Sequence, residues 1–254
     1  MGYKRRVATT PDAPASSAPL VTPLHRIALG RAGLDRDGVV TGVASIGAIA
    51  VLRALRAPGL VQVLTAVAGL GATLFFRDPH RSPADDDPSL TPVSVDDVLA
   101  ASDGRVLAVE EVVDPRIGPH RWLRIATFLS VLDVHVNRVP IAGEVVAVQE
   151  HLGGFAMAQK EAAEHNVARY LTLATAHGPV VVAQRTGLIA RRIVTRVHPG
   201  DRLATGQRYG LIRFGSRTDV HLPTGTATPL VRPGDRIRGG RTVIARFDPV
   251  DPVG

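Results

Sequence analysis

Residues 57–76, "APGLVQVLTAVAGLGATLFF", form a run of 20 residues with no formal charge. At about 1.5 Å per residue such a helix crosses a hydrocarbon core of about 30 Å. A shorter apolar run, Gly38 to Leu52, precedes it and reaches that length only by recruiting flanking residues. Arg53 and Arg56 separate the two, and "RDPHR" follows the second. Two adjacent apolar runs bounded by arginines read as a helical hairpin in or across a membrane, with positive ends on the cytoplasmic side. The bland alternative is a buried hairpin in a soluble core, where arginine-flanked pairs of this kind are rare. The chain therefore divides into a Pro/Ala/Ser/Thr-rich tail at 1–25, expected to be disordered, a hairpin and linker at 26–81, and the remainder at 82–254. No apolar core follows Lys4-Arg5-Arg6 directly, which argues against a signal peptide.

From about Val93 the texture changes. Runs rich in Val, Ile, Leu and Thr alternate with Gly, Pro and Asp, as in 104–113, 121–136, 143–151, 169–187 and 202–215. This predicts a many-stranded β domain with short turns, including a hairpin turn at His177-Gly178-Pro179. The segment 155–166, "FAMAQKEAAEHN", reads as a helix or as a loop over a site. A Pro-Gly-Asp-Arg core occurs at 199–202 and again at 233–236. That spacing is similar to the half-barrel turns of biotinyl- and lipoyl-carrier-like sandwiches, although Pro-Gly-Asp is a common turn. The fold class expected is mainly β, barrel-sandwich-like and α+β overall, with an N-terminal membrane-associated helical hairpin.

The chemistry is bounded by absences. With no cysteine, disulfides, thiolate metal sites and a cysteine nucleophile are excluded. The sequence holds no GxxxxGK[ST], HExxH or GxSxG pattern. The net charge of +7 suggests a polyanionic partner. Aromatic content of 4% and the lack of basic stretches with stacking aromatics argue against nucleic acid and leave an anionic phospholipid bilayer. Two Asp-Val-His triplets, Asp133 to His135 and Asp219 to His221, put a carboxylate and an imidazole on one face if each lies in a strand. Polar residues on a surface strand are the default alternative for either.

Gly215-Ser216 interrupts a strand-like run, Leu211 to Pro223. Glycine admits strained backbone, and a serine hydroxyl can attack the carbonyl that precedes it. A turn or bulge is the simpler reading of "GS" alone. Its surroundings are more specific. "FGSRTDVHLP" (214–223) strongly resembles the processing site of phosphatidylserine decarboxylases, especially the short bacterial and archaeal type. "FFRDPHR" (75–81), "ASDGRV" (101–106, with Ser102 in place of the usual alanine), "FLSVLDVHVNRVPIAG" (128–143) and 198–216 resemble further blocks of that family, in its order, over about residues 60–248.

The resemblance implies a proenzyme that cuts itself between Gly215 and Ser216 into a β chain, 1–215, and an α chain, 216–254. Ser216 would become an N-terminal pyruvoyl group, whose ketone forms a Schiff base with phosphatidylserine and releases CO2 and phosphatidylethanolamine. No metal is implied. Longer relatives use an Asp–His–Ser relay for cleavage. Its Asp maps to Asp103, but its histidine maps to Arg138. His135 is then the expected base, oriented by Asp133 or Asp103, with His221 as the second candidate. Arg138 and Arg217 are expected to pair with the substrate carboxylate or phosphate, or to be solvated surface arginines. A catalytic domain on the cytoplasmic side of the cell membrane follows, with homo-oligomerisation open. The competing readings are decarboxylation of another serine-headed lipid such as archaetidylserine, a membrane-anchored non-catalytic β-sandwich module, and a zinc peptidase using His135 and His221.

Overall fold

The computed structural model describes residues 33–81, 94–188, 192–213 and 216–249; the tail expected at 1–25 lies outside them. Two helices come first, α1 (Arg36–Ala54) and α2 (Gly59–Phe75). Their lengths reverse the expectation. Asp35 caps α1 through its carboxylate, which accepts from Asp37 N, so the helix starts early and recruits polar residues ahead of the apolar run. Pro58 caps α2 and shortens it to 17 residues. The 19-residue α1 is long and apolar enough to cross a membrane, and α2 is apolar but shorter. The helices meet over small residues. A side chain on Gly69 would strike Ser45 at 2.6 Å, and Gly42 faces Thr73. Their large apolar side chains, Val43, Ile46, Leu60, Leu64 and Val67 among them, point outward and are exposed.

The rest is mainly β, as expected. The strands are β1 (Asp97–Leu99), β2 (Gly104–Val113), β3 (Arg121–Leu129), β4 (Val136–Arg138), β5 (Gly143–His151), β6 (Ala168–Thr175), β7 (Gly178–Arg185), β8 (Ile193–Thr195), β9 (Arg202–Leu203), β10 (Arg208–Ile212), β11 (Ser216–Pro223), β12 (Ala227–Pro229), β13 (Arg236–Ile237) and β14 (Val243–Phe247). An eight-stranded sheet runs β13-β2-β3-β11-β7-β6-β5-β9, and two three-stranded sheets run β1-β14-β12 and β4-β10-β8.

The two Pro-Gly-Asp-Arg turns do equivalent work at the two edges of the large sheet. In one, His198 N donates to Asp201 Oδ2 at 2.8 Å; in the other, Arg232 N donates to Asp235 Oδ2 at 3.0 Å. Gly200 and Gly234 take φ of +92° and +98°. Their N–H groups reach Val145 O and Val106 O at 2.8 and 2.9 Å. Each turn leads into an edge strand, β9 on β5 and β13 on β2, and a bulge lies nearby in both partners. The sheet is thus two similar halves, and β11 and β7 meet at its middle.

Two local expectations shift. The β6–β7 hairpin turns at Ala176-His177, with Gly178 already in β7. Segment 155–166 forms only a 3-10 turn, Glu161–His165. Tertiary bonds override its helix propensity: Asn166 exchanges side-chain hydrogen bonds with both the N–H and the C=O of Ala156.

The main core lies on one face of the large sheet, with Ile125, Leu171, Val182, Val220 and Leu222 contributing from four neighbouring strands. Each such side chain is worth about 1.5–3 kcal/mol of burial. A smaller cluster of Trp122, Tyr170, Val181 and Ala183 lies on the other face. Gly104 opens β2 where the chain crowds β3: its φ is +152°, and a Cβ would sit 2.1 Å from Phe128 O. Gly104→Ala is expected to cost more than about 2 kcal/mol, read as a fall in the thermal unfolding midpoint.

Candidate active site

Strand β11 is hydrogen-bonded on both sides, to β3 and β7, and every residue from Ser216 to Leu222 is buried. Ser216 heads it, paired with Leu129. Its Oγ is fully buried and has no hydrogen-bond partner among the described residues. An unsatisfied buried hydroxyl costs about 1–3 kcal/mol, so its retention calls for a reason. Gly215 lies outside the described residues.

The strand's alternation separates the candidate residues. Ser216, Thr218, Val220 and Leu222 share the face of the main core, and Thr218 Oγ1 is 2.6 Å from Ser102 Oγ. Arg217, Asp219 and His221 share the opposite face. His221 is five positions from Ser216, and an odd spacing along a strand sends the two side chains apart. The structure does not bring His221 to Ser216.

Asp219 and His221 do share a face, but Asp219 does not orient the imidazole. Its carboxylate takes Arg185 Nε at 2.7 Å and Arg217 Nε at 2.6 Å. Burial opposes ionisation, yet Arg217 and Arg185 hold this carboxyl well below the usual range. Neither nitrogen of His221 has a partner among the described residues, and burial lowers its pKa to about 4, against the pull of Asp219. Arg217 also donates to Glu164 Oε1 at 2.8 Å, so it presents no free guanidinium to a substrate. Arg185 completes this layer by donating to Glu164 O and Tyr170 Oη.

His135 stands at the Ser216 end of the sheet. It lies six residues beyond Leu129, the partner of Ser216, and its carbonyl accepts from Ile212 N at 3.3 Å. Both ends of the 213–216 connection are therefore tied to the 129–135 segment. The Asp133 triplet is not in a strand, and its carboxylate does not face the imidazole. That carboxylate closes a turn by accepting from Ser130 N and Oγ at 2.8 and 2.6 Å. Asp133 orients His135 through its main-chain carbonyl, which accepts from Nδ1 at 2.9 Å. Because a carbonyl only accepts, Nδ1 carries the proton and Nε2 is left as a buried acceptor without a partner among the described residues. Burial lowers the pKa to about 4, opposed by the Asp133 carbonyl and by the charges of Asp133 and Asp103. His135 is thus a neutral imidazole at ordinary pH.

The charge of Asp103 reaches His135, but its carboxylate bonds elsewhere. It takes Arg81 Nη2 at 2.8 Å and Gly239 N at 2.9 Å. Arg138 is buried and donates to Asp78 Oδ1 at 2.9 Å and to the carbonyls of Pro79 and Gly206. Burial brings its pKa down to about 10, so it stays charged and engaged rather than free for a ligand.

Sequence reasoning assigned no role to the segment that leaves α2, yet it completes this corner. The Phe75 ring lies 4.3 Å from that of His135, Asp78 neutralises Arg138, and Arg81 holds Asp103. Phe75, Phe76 and Leu211 pack together, and Arg196 grips Asp35 at 2.7 Å. The hairpin is rooted on the site. The "FFRDPHR" block was the visible signal. Among the described residues, no group of three His, Asp or Glu is placed to hold a metal ion.

At one end of the large sheet, then, a buried candidate serine heads a central strand and the root of an apolar hairpin packs on His135. The phosphatidylserine decarboxylase family model matches residues 70–245. Proteins called phosphatidylserine decarboxylase proenzyme are similar over most of the chain. The one from Gluconobacter oxydans is 48% identical over 178 residues, covering 68% of this chain and 75% of its own. The one from Symbiobacterium thermophilum is 46% identical over 209 residues, 81% of this chain and 92% of its own. The one from Mycobacterium marinum is 40% identical over 242 residues, 91% and 95%. The chain belongs to the phosphatidylserine decarboxylase family.

The two buried histidines set an acid limit. Each is near 4 in the folded chain against about 6.5 unfolded, so the unfolded state binds more protons between those values. Stability is full above about pH 6.5 and falls as pH drops toward 4. Denaturant titrations from pH 7 to 4.5 should show this slope, and His221→Gln should reduce it by about one proton.

Proposed function

We propose that this chain decarboxylates phosphatidylserine to phosphatidylethanolamine and CO2, after cutting itself between Gly215 and Ser216. The observation that carries the reading is the Ser216 hydroxyl, fully buried at the head of a central strand and without a hydrogen-bond partner among the described residues. Such an oxygen is shut off from water and suited to an attack on its own chain. His135 Nε2 accepts its proton; the base is already neutral and its other nitrogen is fixed. Oγ bonds to the Gly215 carbonyl carbon as the peptide C–N bond breaks, giving an ester and a free amine. Elimination then leaves Gly215 as a carboxylate and residue 216 as dehydroalanine. Water converts that to a pyruvoyl group with loss of ammonia.

The site fits that group, because the side-chain oxygen lost in forming it has no hydrogen-bond partner among the described residues. A pyruvoyl group held there at residue 216 would supply a ketone for the substrate amine and a sink for the electrons of the bond to the departing carboxylate. The protein's own groups do the rest. Strand pairing on both sides of β11 holds residue 216 in place after the cut. Phe75 and Leu129 keep bulk water from the site. The Asp103–Arg81 and Arg138–Asp78 pairs fix the walls around His135. The apolar hairpin rooted there brings this end of the sheet to lipid, which suits an amphiphilic substrate. Anchoring to a membrane through that hairpin belongs to the same proposal.

Purified chain should release CO2 from phosphatidylserine in mixed micelles, and Ser216→Ala should release none. His135→Ala should slow self-cleavage by about 100-fold or more. The wild-type cleavage rate should be flat from pH 8 to about 5 and fall below that, because the base is lost only as pH nears 4. A His135→Ala chain that matures and turns over normally would remove His135 from the mechanism.

A further inference from the structure

The exposed apolar side chains of the β domain concentrate at one end of the large sheet. Val131 and Leu132 follow β3, Leu152 and Met157 follow β5, and Leu188 follows β7. The register places all three loops together. Leu129 pairs with Ser216, Arg217 with Arg185, Arg185 with Ala168, and Ala168 with His151. So β3, β5 and β7 all leave the sheet at the end where Ser216 lies. Leu132 and Leu152 are 79% and 89% exposed. Of the other large exposed apolar residues described in the domain, Phe155 shares the loop of Met157, whereas Val95, Val113, Val146 and Leu230 lie apart from these three loops. Single exposed leucines need no explanation, but a ring of them at one end does.

This ring is continuous with the hairpin. Arg77, just past α2, donates to the carbonyl of Leu132, and Phe75 lies on His135 in the same loop. The loop after β7 leads to Arg192, which is exposed. Among the described residues neither Arg77 nor Arg192 has a carboxylate partner, so cationic side chains border the apolar ones. An apolar rim with unpaired arginines beside it matches the boundary between acyl chains and anionic headgroups.

We propose that the loops bearing Val131–Leu132, Leu152–Met157 and Leu188 form a second membrane contact, independent of the hairpin. They seat in the interface of an anionic phospholipid bilayer and set the Ser216 end of the β domain against the lipid surface. The hairpin tethers the enzyme; the rim fixes its orientation, so that a headgroup reaches the site without the lipid leaving the bilayer. This goes beyond the decarboxylase reading and rests on its membrane component.

The test uses the full-length chain, in which Trp122 is the single tryptophan and is buried at the far end of β3, paired with Pro223. Leu132→Trp, Leu152→Trp and Leu188→Trp are compared with Leu230→Trp, and with Leu64→Trp in the hairpin. Each is mixed with phosphatidylcholine–phosphatidylglycerol vesicles whose acyl chains are plain or brominated. Brominated lipid is expected to quench the three rim tryptophans at least twofold more than the parent chain or the Leu230→Trp variant. Quenching at the rim but not at Leu64→Trp supports the rim and sinks the hairpin as an anchor. Quenching at Leu64→Trp alone overturns the proposal and leaves the anchor standing. Quenching at neither overturns both.

Turnover separates this from the decarboxylase reading. Leu152→Ser combined with Leu188→Ser should raise KM for phosphatidylserine in vesicles about tenfold, with kcat and turnover of detergent-dispersed substrate unchanged. An unchanged KM in vesicles overturns the rim, whereas a parent chain inactive in both assays overturns the decarboxylase reading instead.

Discussion

The structure depends on holding one strand from both sides. β11 pairs with β3 along its whole length and with β7 along most of it, so seven consecutive residues are buried whatever happens ahead of Ser216. A strand that begins at a chain break would fray at the edge of a sheet. In the middle it keeps its ladder, and the ion pairs of Arg217 and Asp219 with Arg185 and Glu164 pin it from the far face. Removing one member of such a buried network leaves an uncompensated charge and costs about 3–5 kcal/mol. The cluster is thus better understood as a lock on β11 than as a substrate site.

The second organising contact is the root of the hairpin. In the seven residues 75–81, one aromatic ring covers His135, one aspartate neutralises Arg138 and one arginine occupies Asp103. Arg138 is a buried arginine that needs a carboxylate, and the hairpin exit supplies it. The apolar hairpin and the surroundings of His135 are therefore one structure.

Much of the fold was legible in local pattern. The alternation of Val and Ile with turn residues marked the β domain, and the duplicated Pro-Gly-Asp-Arg turns marked the two halves of the sheet. The apolar runs marked the hairpin, though capping by Asp35 and Pro58 exchanged the expected lengths of its helices. Ser216 and His135 drew attention through their surroundings. What the sequence concealed was long-range. Arg185 meets Asp219 across 34 residues and Arg81 meets Asp103 across 22, and no spacing rule announces either. These pairings are why Arg138 and Arg217 are engaged internally. Asp133 looked like a carboxylate partner for His135 because a strand was assumed; the chain turns there, and the carbonyl takes that role. The alternation that separates His221 from Ser216 was implicit in the strand reading itself.

The central claim is that Ser216 is a cutting point whose buried oxygen acts on its own chain. The most direct measurement is the intact mass of an active preparation, followed by a carbonyl-reactive hydrazide. The account predicts two fragments, 1–215 and 216–254, with the smaller blocked at its N-terminus and labelled by the reagent. A single unlabelled chain of 26.9 kDa in a preparation that still releases CO2 would contradict it.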